Sequence, residues 1–238
     1  ALALDVARGR GRGVLPPRHF GGVLRGAGKA VYLSAEDDSI ELHNRLTALG
    51  GPHESLTAVP LPSAGGAPIM FRADPVTREP SVTAAWGDLT RQVKELPDLA
   101  VVILDPLQPL CALDLNAPEH AQYVCSQIAA LASETGAAVI LSHHFRKTDA
   151  DSPEEARQAV RGSAGLVDGV RSVVALWLKS EGGARDRTGG AAICKAIGEH
   201  YAPGRVVQAA VVKANGKSHA GITTFLRDND GLLQDVSE

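Results

Sequence analysis

The sequence predicts an α/β protein: a mostly parallel, twisted sheet flanked by helices, with antiparallel strands added at its C-terminal end. Three observations carry this. Val101–Leu104 and Ala138–Leu141 are apolar runs without polar alternation, the pattern of strands buried on both faces. Between them Val124, Ile128 and Leu131 recur at i, i+4 and i+7, giving one apolar helical face. A strand, a helix and a strand in that order make a parallel βαβ unit, and such sheets bind ligands beyond the carboxyl ends of their strands.

The 238 residues provide for one large domain with a real core, read here as 1–238, with 180–238 as its more divergent C-terminal strands. Hydrophobic residues at 44% and charged residues at 21% are ordinary for a globular chain. Aromatics are only 4%, so Ala, Val and Leu must do most of the packing. A net charge of -3 excludes a globally basic surface, but it leaves room for a narrow basic channel. Cys111, Cys125 and Cys194 show neither a CxxC pair nor metal-ligand spacing, which fits reduced thiols in a cytoplasmic protein. No apolar run approaches the roughly 18–20 residues that cross a bilayer, and no signal peptide is visible. No membrane partner is expected.

In chain order, Ala1–Ala7 (ALALDVA) reads as the middle of a helix, broken by the Gly/Arg repeat at 8–13. Val14–Ala27 is rich in Pro and Gly and reads as loop. Ala30–Ala35 is a strand ending at Glu36-Asp37-Asp38. Asp38 then caps a helix with Glu41 three residues on, Leu42, Leu46 and Leu49 on one face, and Gly50-Gly51 as the stop. Leu56–Leu61 and Pro68–Arg72 read as short strands, and Ser81–Leu96 as a helix turning Trp86, Leu89, Val93 and Leu96 inward. The βαβ unit follows, its helix capped by Asn116 with Glu119 and stopped by Gly136. Phe145–Ala156 is a polar loop, Glu155–Leu166 a helix and Val170–Leu178 a strand. Glu181–Gly190 is a second charged loop. Arg205–Val212 is a strand, and Ile222–Leu226 with Gly231–Gln234 forms a hairpin-like tail.

Three strands therefore end in chemistry-bearing residues: Glu36, Asp105 and the pair His143-His144. A strand-end carboxylate can hold Mg²⁺ directly or through water, because that hard cation prefers oxygen ligands. A second carboxylate can orient and deprotonate water, and an imidazole on the next strand can sense a terminal phosphate. These are the needs of nucleoside-triphosphate hydrolysis, where positioning and charge neutralisation dominate. Each residue also has a plainer use: Asp105 as a turn former, Glu36 as a solvated turn residue, one histidine as a hydrogen-bonded edge residue. Arg161, Arg171 and Lys213 are candidate phosphate clamps or an arginine finger, or else surface cations. Phe145, Arg146 and Lys147 offer a stacking ring and two cations to a nucleic-acid backbone, or else form a solvated loop.

Two segments imitate a phosphate-binding loop. Gly26-Ala27-Gly28-Lys29 precedes a strand, whereas such a loop must follow one and open a helix. Gly216-Lys217-Ser218 lacks the first glycine, position 211 being Val.

The segments VYLSAEDDSIELHNRLTALG, VVILDPLQPL, AVILSHHFRK, RGSAGLVDGVR and VVKANGK together resemble the RepA-type plasmid replicative helicases, RecA-like hexameric ATPases related to DnaB. The likeness runs from about Ala30 to Lys217, in family order. It implies a RecA-like core that binds ATP and Mg²⁺, assembles as a homo-oligomer (a hexameric ring) and acts on single-stranded DNA. By that resemblance Glu36 is the water-activating carboxylate, Asp105 the Mg²⁺-associated acid and His143/His144 the γ-phosphate sensor. Arg171 is the finger reaching a neighbouring subunit's ATP, Lys213 lies near the same interface, and Arg45 matches an arginine near the nucleotide. The family's GxxxxGK[ST] loop does not occur in these residues. ALALDVA resembles the helix that follows it, so the expectation is a natural start upstream. A RecA-like recombinase that binds strands without unwinding them stays open, as does a non-catalytic interaction protein.

Overall fold

The computed structural model describes residues 1–10, 17–144, 150–160, 164–183, 186–218 and 221–237. Phe145, Arg146, Lys147 and Arg161 lie outside the described residues. In chain order the helix α1 spans Leu2–Ala7, and β1 (Arg18–His19) and β2 (Gly22–Val23) form a two-stranded ribbon. Then come β3 (Lys29–Ser34), α2 (Ser39–Ala48), β4 (Leu56–Pro60), β5 (Phe71–Ala73) and β6 (Pro80–Val82). These are followed by α3 (Ala84–Lys94), β7 (Leu99–Asp105), α4 (Pro118–Thr135), β8 (Ala138–Leu141), α5 (Pro153–Gln158) and α6 (Ala164–Gly169). The chain closes with β9 (Ser172–Leu178), α7 (Gly190–Ala196), β10 (Val206–Ala214), β11 (Thr223–Arg227) and β12 (Leu233–Asp235). Among the described residues no helix is long and apolar enough to cross a membrane.

The chain divides into two compact units. The first comprises Ala1–His19, Val23–His144 and Arg161–Val170. Its centre is a parallel sheet of order β4-β3-β7-β8, the βαβ frame that the apolar runs predict. Side chains alternate across it, as the two-residue period of a strand demands. Ala30, Val101, Ile103 and Ile140 pack with Ala3, Val6 and Ala7 of α1. Val31, Leu33, Val102, Leu104, Val139 and Leu141 turn the other way, into a core with Trp86 and Val93 of α3 and with Val124, Ile128 and Leu131 of α4. Both faces of the sheet are thus covered, which is why β7 and β8 read as uninterrupted apolar runs.

Gly28 shows how closely the first strand is entered. Its φ of +154° suits glycine, and an added Cβ would overlap the Asp98 carbonyl oxygen. The same carbonyl accepts the Lys29 N–H at 2.8 Å, so this contact sets where β3 begins. Lys29 opens a strand, as expected for a segment that only imitates a phosphate loop.

The second unit comprises Phe20–Gly22, Phe145–Val160 and Arg171–Glu238. Its antiparallel sheet, of order β12-β11-β10-β9, is the predicted C-terminal extension. Ala156 of α5 packs with Ala175, Trp177 and Ala210, and Cys194 of α7 with Val206 and Leu226. Phe20 meets Phe225 edge-on, with centroids 6.2 Å apart. All three cysteines are buried free thiols.

Several boundaries differ from expectation. Asn116 does not cap α4: Ala117 holds that place, and the Asn116 amide donates instead to Asp114 Oδ1 at 2.9 Å. Pro118 at the first helical position supplies the start, having no N–H to satisfy. Ser81 belongs to β6, because Thr83 already begins the turn into α3. β5 begins only at Phe71, whose N–H-bearing neighbour Met70 donates to Leu110. The helix expected over Glu155–Leu166 is divided into α5 and α6. The loop expected at Val14–Ala27 contains β1 and β2. α7 was not anticipated; Ala-rich and short, it has no strong apolar period.

Candidate functional site

Because the sheet is parallel, β3, β7 and β8 finish on the same edge. Ser34 lies opposite Asp105, and Leu104 opposite Leu141, so the next residue along β8, Ser142, comes level with Asp105. The backbone continues this alignment past the strands. Ala35 N–H donates to the Asp105 carbonyl at 2.7 Å, and Ser142 N–H to the Leu104 carbonyl at 3.0 Å.

Strand alternation then decides which side chains meet. Tyr32, Asp105 and Ser142 each follow by two a residue on the α1 face: Ala30, Ile103 and Ile140. All three accordingly point to that face. The Tyr32 hydroxyl donates to Asp105 Oδ2 at 2.5 Å, and the Ser142 hydroxyl donates to Asp105 Oδ1. Burial pushes the Tyr32 phenol well above its ordinary range, and its bond to Asp105 adds to the shift. The phenol therefore remains a proton donor to the carboxylate.

The turn after β3 carries the other acids. Asp37 is buried, and its N–H donates to Ser34 Oγ at 3.2 Å. Desolvation raises its pKa, against the pull of Arg45, whose guanidinium lies 3.0 Å away. Arg45 also reaches Glu41 at 2.8 Å, one turn back along α2. Asp38 caps α2 as expected, accepting the N–H groups of Ile40 and Glu41 at 2.9 Å each. Glu36 points into solvent. Its Oε1 lies 3.4 Å from His144 Nε2, and both side chains are about half exposed (54% and 51%). His143, by contrast, is half-buried.

The predicted residues thus sort into groups. Glu36 and His144 meet, while Asp105 sits among Tyr32, Ser142 and the turn carrying Asp37. Arg45 stands beside that turn. Arg171 and Lys213 belong to the second unit, Arg171 exposed just before β9 and Lys213 on β10 opposite Val173. Sequence reasoning missed Tyr32, Asp37 and Ser142. The signal lay in alternation: a tyrosine and a serine two places beyond α1-facing residues, on strands flanking an acid.

The oxygen-rich donors around Asp105 suit a hard divalent cation. Among the described residues no three His, Cys, Asp or Glu side chains converge as a metal cage. Mg²⁺ keeps most of its waters and takes one or two carboxylates plus phosphate oxygens, a demand that the Asp105 carboxylate could meet in part. The cluster itself is acidic, so a triphosphate would be gripped by other groups.

A family model described as AAA domain matches residues 1–150. The chain belongs to the AAA domain family. In this AAA domain the matched stretch includes β3, β7 and β8 with every strand-end residue of the cluster, and the membership is that of a nucleoside-triphosphate hydrolase. A solved structure described as "Crystal structure of the RadB recombinase" is similar at a TM-score of 0.48 and 12% identity, covering 88% of this chain and 79% of that one.

Proposed function

We propose that this AAA domain is the ATP-hydrolysing motor of a ring-forming, RepA-like DNA helicase serving plasmid, phage or mobile-element replication. The observation that carries the reading is the contact of Glu36 with His144, from the ends of two different strands, beside a third strand ending in Asp105. Bound ATP and Mg²⁺ supply the scissile phosphoryl group and its charge neutralisation. Glu36, open to solvent, accepts the proton of the attacking water at a carboxylate oxygen. Asp105, fixed by two hydroxyls, would hold the cation directly or through its water. His144 holds Glu36 on one side and leads on the other into the segment with Phe145, Arg146 and Lys147, which we assign to single-stranded DNA. Arg171 acts as the finger toward a neighbouring subunit's nucleotide, and Arg45, Arg161 and Lys213 serve nucleotide binding in a hexameric ring.

ATP turnover with and without single-stranded DNA, in the wild type and in Glu36→Gln, tests this. Glu36→Gln is expected to bind ATP and lose hydrolysis by about 100-fold or more, the usual worth of a positioned general base. Hydrolysis by Glu36→Gln at the wild-type rate would overturn the catalytic reading. Strand exchange without unwinding would move the protein to the recombinases.

A further inference from the structure

The assignment of Asp105 to the cation leaves unexplained why two hydroxyls from two other strands converge on it. A half-buried carboxylate has about four lone-pair directions and needs only some of them met. Here Tyr32 meets Oδ2 from β3 and Ser142 meets Oδ1 from the end of β8, so each oxygen is held from a different side. One hydroxyl alone would satisfy an oxygen and leave the carboxylate plane free to turn about χ2. Two, anchored on neighbouring strands of one rigid sheet, fix the plane.

Neither donor is free to swing away. Tyr32 stands on the central strand β3, paired on both sides by β4 and β7. Ser142 is held through its own backbone, its N–H on the Leu104 carbonyl and its carbonyl on the Leu107 N–H at 2.9 Å. Asp105 itself is held by its carbonyl, which accepts from Ala35. Both hydroxyls spend their only proton on Asp105 and keep oxygen lone pairs. Those lone pairs can accept from water bound to a cation on the open side of the carboxylate.

We propose that Tyr32 and Ser142 are positioning residues that orient the Asp105 carboxylate toward a hydrated divalent cation. The inference rests on the reading of Asp105 given under Proposed function. Partners behind a metal ligand fix its direction, and their loss typically weakens metal binding by about 10–100-fold. Filling space alone makes a different demand: Tyr32→Phe keeps the ring and its packing, and so should keep the cation if packing is all Tyr32 provides.

The test titrates the full chain with Mn²⁺ alone and follows binding by enhancement of water-proton relaxation, which needs no turnover. Asp105→Asn, Tyr32→Phe, Ser142→Ala and Ser142→Thr are compared with the wild type. The proposal expects Asp105→Asn to remove a Mn²⁺ site, Tyr32→Phe and Ser142→Ala each to weaken it by about 10-fold, and Ser142→Thr to restore it. If Asp105→Asn removes the site while Tyr32→Phe and Ser142→Ala bind Mn²⁺ like the wild type, the positioning role is overturned and the Asp105 assignment stands. If Asp105→Asn itself binds Mn²⁺ like the wild type, the assignment of Asp105 falls and the positioning role with it. Tyr32→Phe removes one oxygen and Ser142→Ala one hydroxyl, neither adding an atom to the packing, so a folded protein is available for at least one arm on each side of the carboxylate.

Discussion

Glu36 and His144 lie 108 positions apart in the chain and meet at 3.4 Å, because β3 and β8 flank β7 in one parallel sheet. The contact ties the proposed base to the segment proposed to touch DNA. His144→Ala is therefore expected to reduce stimulation of ATP turnover by single-stranded DNA, by about 10-fold, and to spare most of the unstimulated rate. Rates measured at saturating ATP with and without DNA check it. An equal loss in both conditions would mean that His144 serves the chemistry and not the relay.

Gly28→Ala is expected to destabilise the protein by about 2–4 kcal/mol, since it combines a strained φ with overlap on a backbone oxygen. The new Cβ would also come within 3.0 Å of Ala100 Cβ. Urea unfolding of wild type and variant reads the difference directly. A change below about 0.5 kcal/mol would show that the entry to β3 yields easily.

At the start of α2, Asp38→Ala removes the acceptor for two helix N–H groups, with an expected cost of about 1 kcal/mol. Asp38→Asn keeps an acceptor and should recover most of it. Because α2 buries only Leu42, little tertiary packing masks the effect. Equal stability of both variants would remove capping as the cause.

The contact of buried Asp5 with half-buried His19 gives a pH prediction. His19 Nε2 lies 3.0 Å from Asp5 Oδ2, and Arg10 reaches the same carboxylate at 3.1 Å. Burial lowers the His19 pKa below its usual 6.5, and the attraction of Asp5 opposes this. The folded protein thus binds fewer protons at this site than the unfolded chain does, and acid favours unfolding. His19's contribution is full above about pH 6.5 and is lost as the pH falls below that toward the folded value. Wild-type stability should fall between about pH 7 and pH 5, and His19→Gln should flatten part of that fall. Parallel profiles would rule out His19 as the source.

The parallel frame is legible in the sequence because burial on both faces leaves a continuous apolar run, a local signal. Asp105, Glu36 and the histidines are legible because they end such runs. Tyr32 and Ser142 are not, since their meaning depends on register between strands about 70 and 37 residues from Asp105. Asn116 misleads for a local reason: it fits the capping pattern, but Asp114 captures its amide and Pro118 starts the helix unaided. α7 escapes because its alanines mark no face.

The alternation that brings Tyr32, Asp105 and Ser142 together also restricts how β7 can change over evolutionary time. One residue inserted between Leu99 and Asp105 would send the carboxylate through the sheet, toward the layer of Val124 and Leu131, and leave both hydroxyls facing hydrocarbon. Drift within β7 should thus exchange one apolar letter for another, and gains or losses of length should gather in the connections on either side.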